Sequence, residues 1–411
     1  MTKLIVIGGG AAGFFGAIAA ARSNPKLQVI LLEAGKDFLG KVRISGGGRC
    51  NVTHHCFDPV ELTKAYPRGS RELRGAFSQF QPKDMIAWLK AEGIALKTEA
   101  DGRMFPTTDD SATIANCLKQ AAIQAGIQLR TFSAVKSIDK NEADQFIISL
   151  GAGDKLTGDR LLIATGSHPS GHGFAKTLGH KILEPKPSLF TFQIKDSRLA
   201  NLSGVSVPHA IASIKINKKK KLEHSGPLLI THWGLSGPAV LKLSAWGARV
   251  LADHQYKMPL TVNFLPEENP ETLRQKIQQF KAQNPKKKIN TFSPIDIPKR
   301  LWQSFVSYAA IASEQNWADL SKKQLNIIIQ EVTQGHYQIQ GKGVFKDEFV
   351  TCGGVTLKEI NFKTMESRVC PNLYFAGEVL DIDGITGGFN FQSAWTTSWI
   401  AGKAIATSTS L

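Results

Sequence analysis

The chain opens on an apolar run, LIVI, that stops at three glycines and continues as an Ala-rich stretch, AAGFFGAIAAARS. A short continuous apolar run ending in a glycine turn predicts a buried strand, and the Ala-rich stretch predicts a helix behind it. LQVILLE then predicts a second buried strand ending in Glu33. GAGDKLTGD (151–159) reads as a hairpin turn, LLIATG (161–166) as a buried parallel strand and LYFAG (373–377) as another. FNFQSAWTTSWIAGKAIA predicts a closing helix. The middle changes character: LFTFQI, GVSVPHAIASIKI, GPLLITH and MPLTVNFL predict strands, whereas PETLRQKIQQFKAQ, PKRLWQSFVSYAAIA and SKKQLNIIIQEV predict helices before a last strand, HYQIQG (336–341). In THWGLSGPAVL, Ser236 is expected to start a helix with Pro238 in its first turn. The fold class is therefore α/β, Rossmann-like and discontinuous: 1–190 with 350–411 as one domain, 191–267 with 334–349 as a β-rich one, and 268–333 as a helical insert.

Gly8, Gly10 and Gly13 fit GxGxxG, a weak signal alone. Here the pattern follows a strand, opens a helix, and precedes an acid, Glu33, 20 residues beyond Gly13. Together these are the dinucleotide-binding fingerprint: a tight turn, a close backbone approach to pyrophosphate, close helix–strand packing and an acceptor for a ribose. The 151–159 stretch lacks the last glycine, so a two-Rossmann flavin disulfide reductase is disfavoured and a nicotinamide cofactor must dock without its own fingerprint.

ISGGGRCNVTHHC (44–56) gathers three glycines, an arginine, two cysteines and two histidines. Cys50, His54, His55 and Cys56 match no familiar zinc spacing, and metal is not expected. Ser45, Gly46, Gly47 and Gly48 instead suit a loop whose bare backbone lies against a flat ring, with Arg49 holding a phosphate or ordering the loop.

This stretch resembles the signature of a bacterial family of NAD(P)/FAD-dependent oxidoreductases, which includes aminoacetone oxidase-like proteins, bile-acid enone reductases and a ribosomal-RNA dihydrouridine synthase. GRMFPTT (102–108), LLIATGSHPSGHG (161–173), LLITHWGLSGPAVL (228–241) and VTCGGVTLKEINFKTMESRVCPNLYFAGEVLDIDGITGGFNFQSAW (350–395) carry the resemblance through the chain in order. A second glycine is frequent after ATG in the family, where this chain has Ser167 and His168. The resemblance implies an FAD domain, a small β-barrel substrate domain and the helical insert. It also implies that Gly377 and Glu378 touch the ribityl–pyrophosphate region of FAD.

Thr165 and Gly166, at a strand's carboxyl end, are candidate cofactor neighbours. Gly387, Gly388, Phe389, Asn390 and Phe391 open the last helix, whose N-terminus would stabilise negative charge on a reduced flavin, although both phenylalanines also suit core packing. Ala11, Ala12, Ala34, Lys41, Cys50, Asn51, Val135, Ala164 and Asp383 complete the candidate cofactor set. Asp381 and Asp383 read otherwise as solvated turn residues, without a complete calcium loop. Cys50 and His232 are the candidate proton donors.

Five scattered cysteines without a CxxC suggest reduced thiols, and no apolar run nears the ~20 residues of a membrane span. With no targeting segment apparent, a cytoplasmic protein is expected. Net charge is +16, of which residues 191–350 carry +10, from 22 Lys/Arg against 12 Asp/Glu. Lys218–Lys221 and Lys286–Lys288 read either as solvated loops or as a footprint for RNA. The expected activity is NAD(P)H-driven reduction of a conjugated C=C bond, with a uridine of ribosomal RNA as favoured substrate. The rivals are a small-molecule enone reductase or amine oxidase, and a non-catalytic flavin-containing RNA-binding factor.

Overall fold

The structure is a computed structural model that describes residues 2–151, 153–343 and 350–407. The chain divides into two compact units, one from residues up to Pro185 and from Val350 onward, the other from the segment between. The expected β-rich piece 334–349 falls partly outside the described residues, at 344–349.

In the first unit, Lys3–Ile7 lies between Arg160–Ile163 and Gln28–Leu32, parallel to both. Leu373–Phe375 and Gln128–Arg130 extend the parallel sheet on either side, and two short antiparallel strands finish one edge. Leu4, Ile5 and Val6 have no exposed surface, because helices cover both faces of such a sheet. The helix Ala11–Ser23 runs against the closing helix Phe389–Thr407 through small residues. A Cβ on Gly402 would stand 2.5 Å from the Gly16 carbonyl oxygen, so the two backbones meet at a spacing no larger residue allows. Residues 146–150 and 155–158 form the hairpin expected around 151–159.

The second unit is a seven-stranded antiparallel sheet whose order begins with Gly335–Gln338 and ends with Gly341–Lys342. These edges are joined by Ile339 and Gln340 alone; the Ile339 N–H bonds to Met258 O and that of Gln340 to Gln193 O. The two ends of the sheet therefore meet, and it curls into a small barrel. Helices Pro270–Gln283, Lys299–Tyr308 and Lys322–Gln334 contribute Leu273, Ile277, Trp302, Phe305, Ile328 and Val332 to the same hydrophobic core as Leu260 and Val262 of the sheet. The helical segment thus has no separate core. Arg198 pins sheet to helices: it is buried between the Tyr308 and Tyr337 rings and paired with Asp196 (2.6 Å) and Glu331 (2.5 Å).

Two local expectations fail. Ser236 belongs to the strand Gly234–Ser236, and Gly237, at φ 90°, is the residue that starts the helix Pro238–Trp246. A Cβ on Gly237 would come within 2.8 Å of Pro227 O, so close strand contact, not a capping hydroxyl, sets this boundary. The LFTFQI strand shortens to Phe192–Gln193, because Leu189 takes a left-handed turn at φ 59°.

Candidate cofactor and active site

Two clusters form at the carboxyl ends of the parallel strands, where ligands gather in open α/β sheets. In the first, Gly8, Gly10, Ala11, Ala12 and Gly13 make the turn into the first helix, beside Glu33 and Ala34 after the second strand and Ala164, Thr165 and Gly166 after the third. A Cβ on Gly13 would sit 1.8 Å from Gly8 O, whereas one on Gly10 meets nothing within 4 Å. The turn is closed inward and open outward, as a backbone cradle for pyrophosphate requires. No side chain caps the helix and no acid stands in its first turn, leaving first-turn N–H groups for an anion. Glu33 accepts from the N–H groups of Gly9 (2.9 Å) and Gly35 (2.8 Å), which holds its carboxylate at the turn. Thr165 Oγ1 is buried without a hydrogen-bond partner. This open cradle of bare backbone at a helix start fits the pyrophosphate of a dinucleotide.

The second cluster joins two motifs more than 300 residues apart in sequence. The helix Gly40–Gly48 breaks at Ser45, and Gly46, Gly47 and Gly48 follow at φ 58°, 70° and 85°. Three consecutive left-handed residues explain the triple glycine. Gly47 and Gly48 have empty space where a Cβ would be, while Gly46 faces Asn51 and Phe105. The segment after the loop is sewn to the closing helix. Thr53 Oγ1 donates to Gln392 Oε1 (2.6 Å), Trp395 Nε1 to Val52 O (3.0 Å), and His54 Nδ1 to Gly387 O (3.0 Å). With its amide turned to suit both neighbours, Asn51 accepts from Gly388 N–H (3.0 Å) and donates to Thr53 O (3.2 Å). Phe389 stacks on His54 at 4.5 Å, Phe391 on Trp395, and Asn390 bonds both backbone groups of Gly384. The bare loop and the start of the closing helix are one construction, with no acid in the helix's first turn.

Other candidates take different places. Lys41 pairs with Glu378 (2.6 Å), while Gly377 lies against Ala12. Val135 begins the strand Val135–Lys140, partly buried and apart from both loops in sequence and sheet. Asp381 and Asp383 are not solvated turn residues: both are buried, Asp381 accepting from Gly353 N–H (2.8 Å) and Asp383 paired with Arg68. Arg49 orders the loop, bridging to Glu99 (2.7 Å) over the Phe105 ring. Among the described residues no three His, Cys, Asp or Glu side chains are placed to hold a metal.

Cys50 has no exposed surface, and burial pushes its thiol up to about 12, with only partial relief from Ser45. His232, in the second unit, is exposed in the turn between Lys221–Thr231 and Gly234–Ser236, its ring against Trp233. The sequence did not point to Tyr66, whose buried hydroxyl donates to Phe389 O (2.7 Å) and helps fix the start of the closing helix, nor to Arg68.

Residues 2–404 match the family described as HI0933-like protein Rossmann domain. The chain is 31% identical to the ribosomal RNA dihydrouridine synthase of Escherichia coli over 96% of both chains. It is 29% identical to the 3-dehydro-bile acid delta(4,6)-reductase of Clostridium scindens over 99% of both. The 3-ketosteroid-delta4-(5alpha)-dehydrogenase structure from Rhodococcus jostii RHA1 shares the fold at 13% identity, with a TM-score of 0.52 over 99% of this chain and 97% of that one. No helix among the described residues is long and apolar enough to cross a membrane. The chain belongs to the HI0933-like Rossmann family and is an FAD-dependent oxidoreductase.

Proposed function

We propose that this protein reduces a conjugated C=C bond with electrons from NAD(P)H, and that its substrate is a uridine in ribosomal RNA. The names of both relatives describe adding hydrogen across such a bond: the C5=C6 bond of uracil is conjugated to a carbonyl, as are the delta(4,6) bonds of a 3-oxo bile acid. When bound, FAD would supply the hydride-transfer chemistry between NAD(P)H and the β-carbon of the substrate. The chain's own residues supply the rest. Gly47 and Gly48 would give the ring a bare backbone seat, and the start of the closing helix, with no acid in its first turn, would favour negative charge there. The addition is completed by one proton on the carbon next to the carbonyl. Of the two candidate donors, Cys50 has no exposed surface and His232 is exposed, so the substitution that tests the donor is at His232.

The choice of RNA rests on one surface of the second unit. Lys218, Lys219 and Lys220 stand exposed at the tip of the hairpin formed by Ser206–Lys215 and Lys221–Thr231. On the same hairpin His224 stacks with Trp246, ring centres 5.8 Å apart, and Trp246 keeps 38% of its surface exposed. Lysines beside an exposed aromatic platform suit phosphate and an unstacked base. A bile acid calls for neither, although the Clostridium relative keeps a small enone as the second reading.

The test is anaerobic reoxidation of the reduced enzyme by unmodified ribosomal RNA and, separately, by a 3-oxo-4-ene steroid. Reoxidation by RNA, falling steeply with salt as phosphate contacts are screened, is expected. Reoxidation by the steroid alone would move the substrate to a small molecule. RNA binding with no reoxidation would indicate a non-catalytic RNA-binding factor. His232→Asn should lower the RNA rate by about 100-fold, a typical general-acid contribution. Cys50→Ser should change it little.

A further inference from the structure

Phe132 is an aromatic residue in an unfavourable place for its type. Its φ is 50°, a left-handed backbone conformation that bulky side chains rarely adopt, and 72% of its surface is exposed. Of the other large apolar side chains with positive φ, Leu39, Leu189 and Met365 are buried and Tyr256 is partly buried against the Phe190 ring, so packing offsets their strain. Phe132 has no such compensation among the described residues. Strained positions that packing does not explain concentrate at ligand sites.

Its location points to the ligand. Phe132 lies two residues past Gln128–Arg130, a strand parallel to and paired with Gln28–Leu32. Its N–H donates to Gly35 O (3.1 Å), and that of Ser133 to Glu33 O (2.8 Å). The turn that presents Phe132 is therefore bonded to the turn that carries the ribose-accepting acid. Gly35, which receives the Phe132 N–H, and Ala34 before it are small and exposed; a Cβ on Gly35 would meet nothing but the Glu33 carboxylate, at 3.3 Å. A large exposed ring is thus carried by a turn whose backbone is bonded to Glu33 and Gly35.

We propose that Phe132 stacks on the adenine of the bound dinucleotide and so selects FAD over shorter flavins. The proposal rests on the FAD reading and adds to it a residue and a specificity. Stacking supplies, only when the ligand is bound, the contacts that the exposed ring otherwise lacks.

The experiment titrates flavin-free protein with FAD and with FMN, which lacks the adenosine half. Phe132→Ala should weaken FAD by about tenfold, the scale of one base–aromatic stack, and leave FMN within about twofold. Phe132→Trp should keep FAD tight. Phe132→Gly should raise the melting temperature of the flavin-free protein, by relieving the backbone, while weakening FAD; a purely structural role predicts no such opposition. Unchanged FAD affinity in Phe132→Ala, or equal losses for FAD and FMN, overturns the proposal. Wild-type protein that binds neither flavin overturns the FAD reading and this inference together, a failure visible before any variant is made.

Discussion

The turn at residues 8–13 and the loop at 46–48 are both glycine-rich, and they use glycine for different reasons. In the first, bulk is excluded: a Cβ on Gly13 would lie 1.8 Å from Gly8 O, and one on Gly8 2.4 Å from Ala164 O. In the second, backbone conformation governs at Gly47 and Gly48, where φ is 70° and 85° and the side-chain space is empty. Only Gly10 in the first turn shares that emptiness. Close contact marks the glycines that hold the fold; the open space at Gly10, Gly47 and Gly48 is what the proposed cofactor would use.

The comparison breaks most severely at Gly13. Gly13→Ala drives a methyl group into a backbone carbonyl that cannot move without parting strand from helix, so it should destabilise the protein by more than about 3 kcal/mol, read as lost soluble yield or a collapsed denaturant midpoint. Gly10→Ala should do the reverse. Its φ of −89° suits any residue, so stability should stay within about 0.5 kcal/mol while FAD affinity falls by about tenfold or more in a flavin titration. Gly47→Ala should fall between them, losing about 1 kcal/mol in a denaturant melt from its left-handed backbone, and Gly47→Asn less, because Asn tolerates that region.

The smallest effect separates the two regions by pH. Burial lowers the His54 imidazole below its ordinary 6.5, against the opposing pull of its bond to Gly387 O. The folded protein therefore favours neutral His54, and the unfolded chain binds the proton more readily. This contribution is complete above about pH 6.5 and is lost as pH falls through the lowered folded value. Melting temperature measured below pH 6.5 should fall less steeply in His54→Gln than in the wild type.

The parallel strands, the hairpin at 151–159 and the closing helix were legible because buried strands and amphipathic or small-residue helices leave periodic local marks. The first glycine turn was legible for the same reason, since its strand, turn, helix and acid are neighbours in sequence. The second cluster was only half legible. SGGGRC announced a bare loop, but nothing local revealed that Val52, Thr53 and His54 bond to a helix more than 300 residues away. Asp383 looked solvated because Asp-rich turns usually are, and its partner, Arg68, lies 315 residues distant. Ser236 looked like a cap because the close approach of Gly237 to Pro227 is a tertiary contact. Phe132 left no sequence signal, as positive φ in an aromatic residue cannot be inferred from composition.

Nucleoside mass spectrometry tests most directly the proposal that this chain makes dihydrouridine in ribosomal RNA. Ribosomal RNA from cells with and without the gene should differ in dihydrouridine. The loss should be restored by the wild-type gene and not by one carrying Gly10→Ala together with Phe132→Ala. Dihydrouridine unchanged by deletion would contradict the claim.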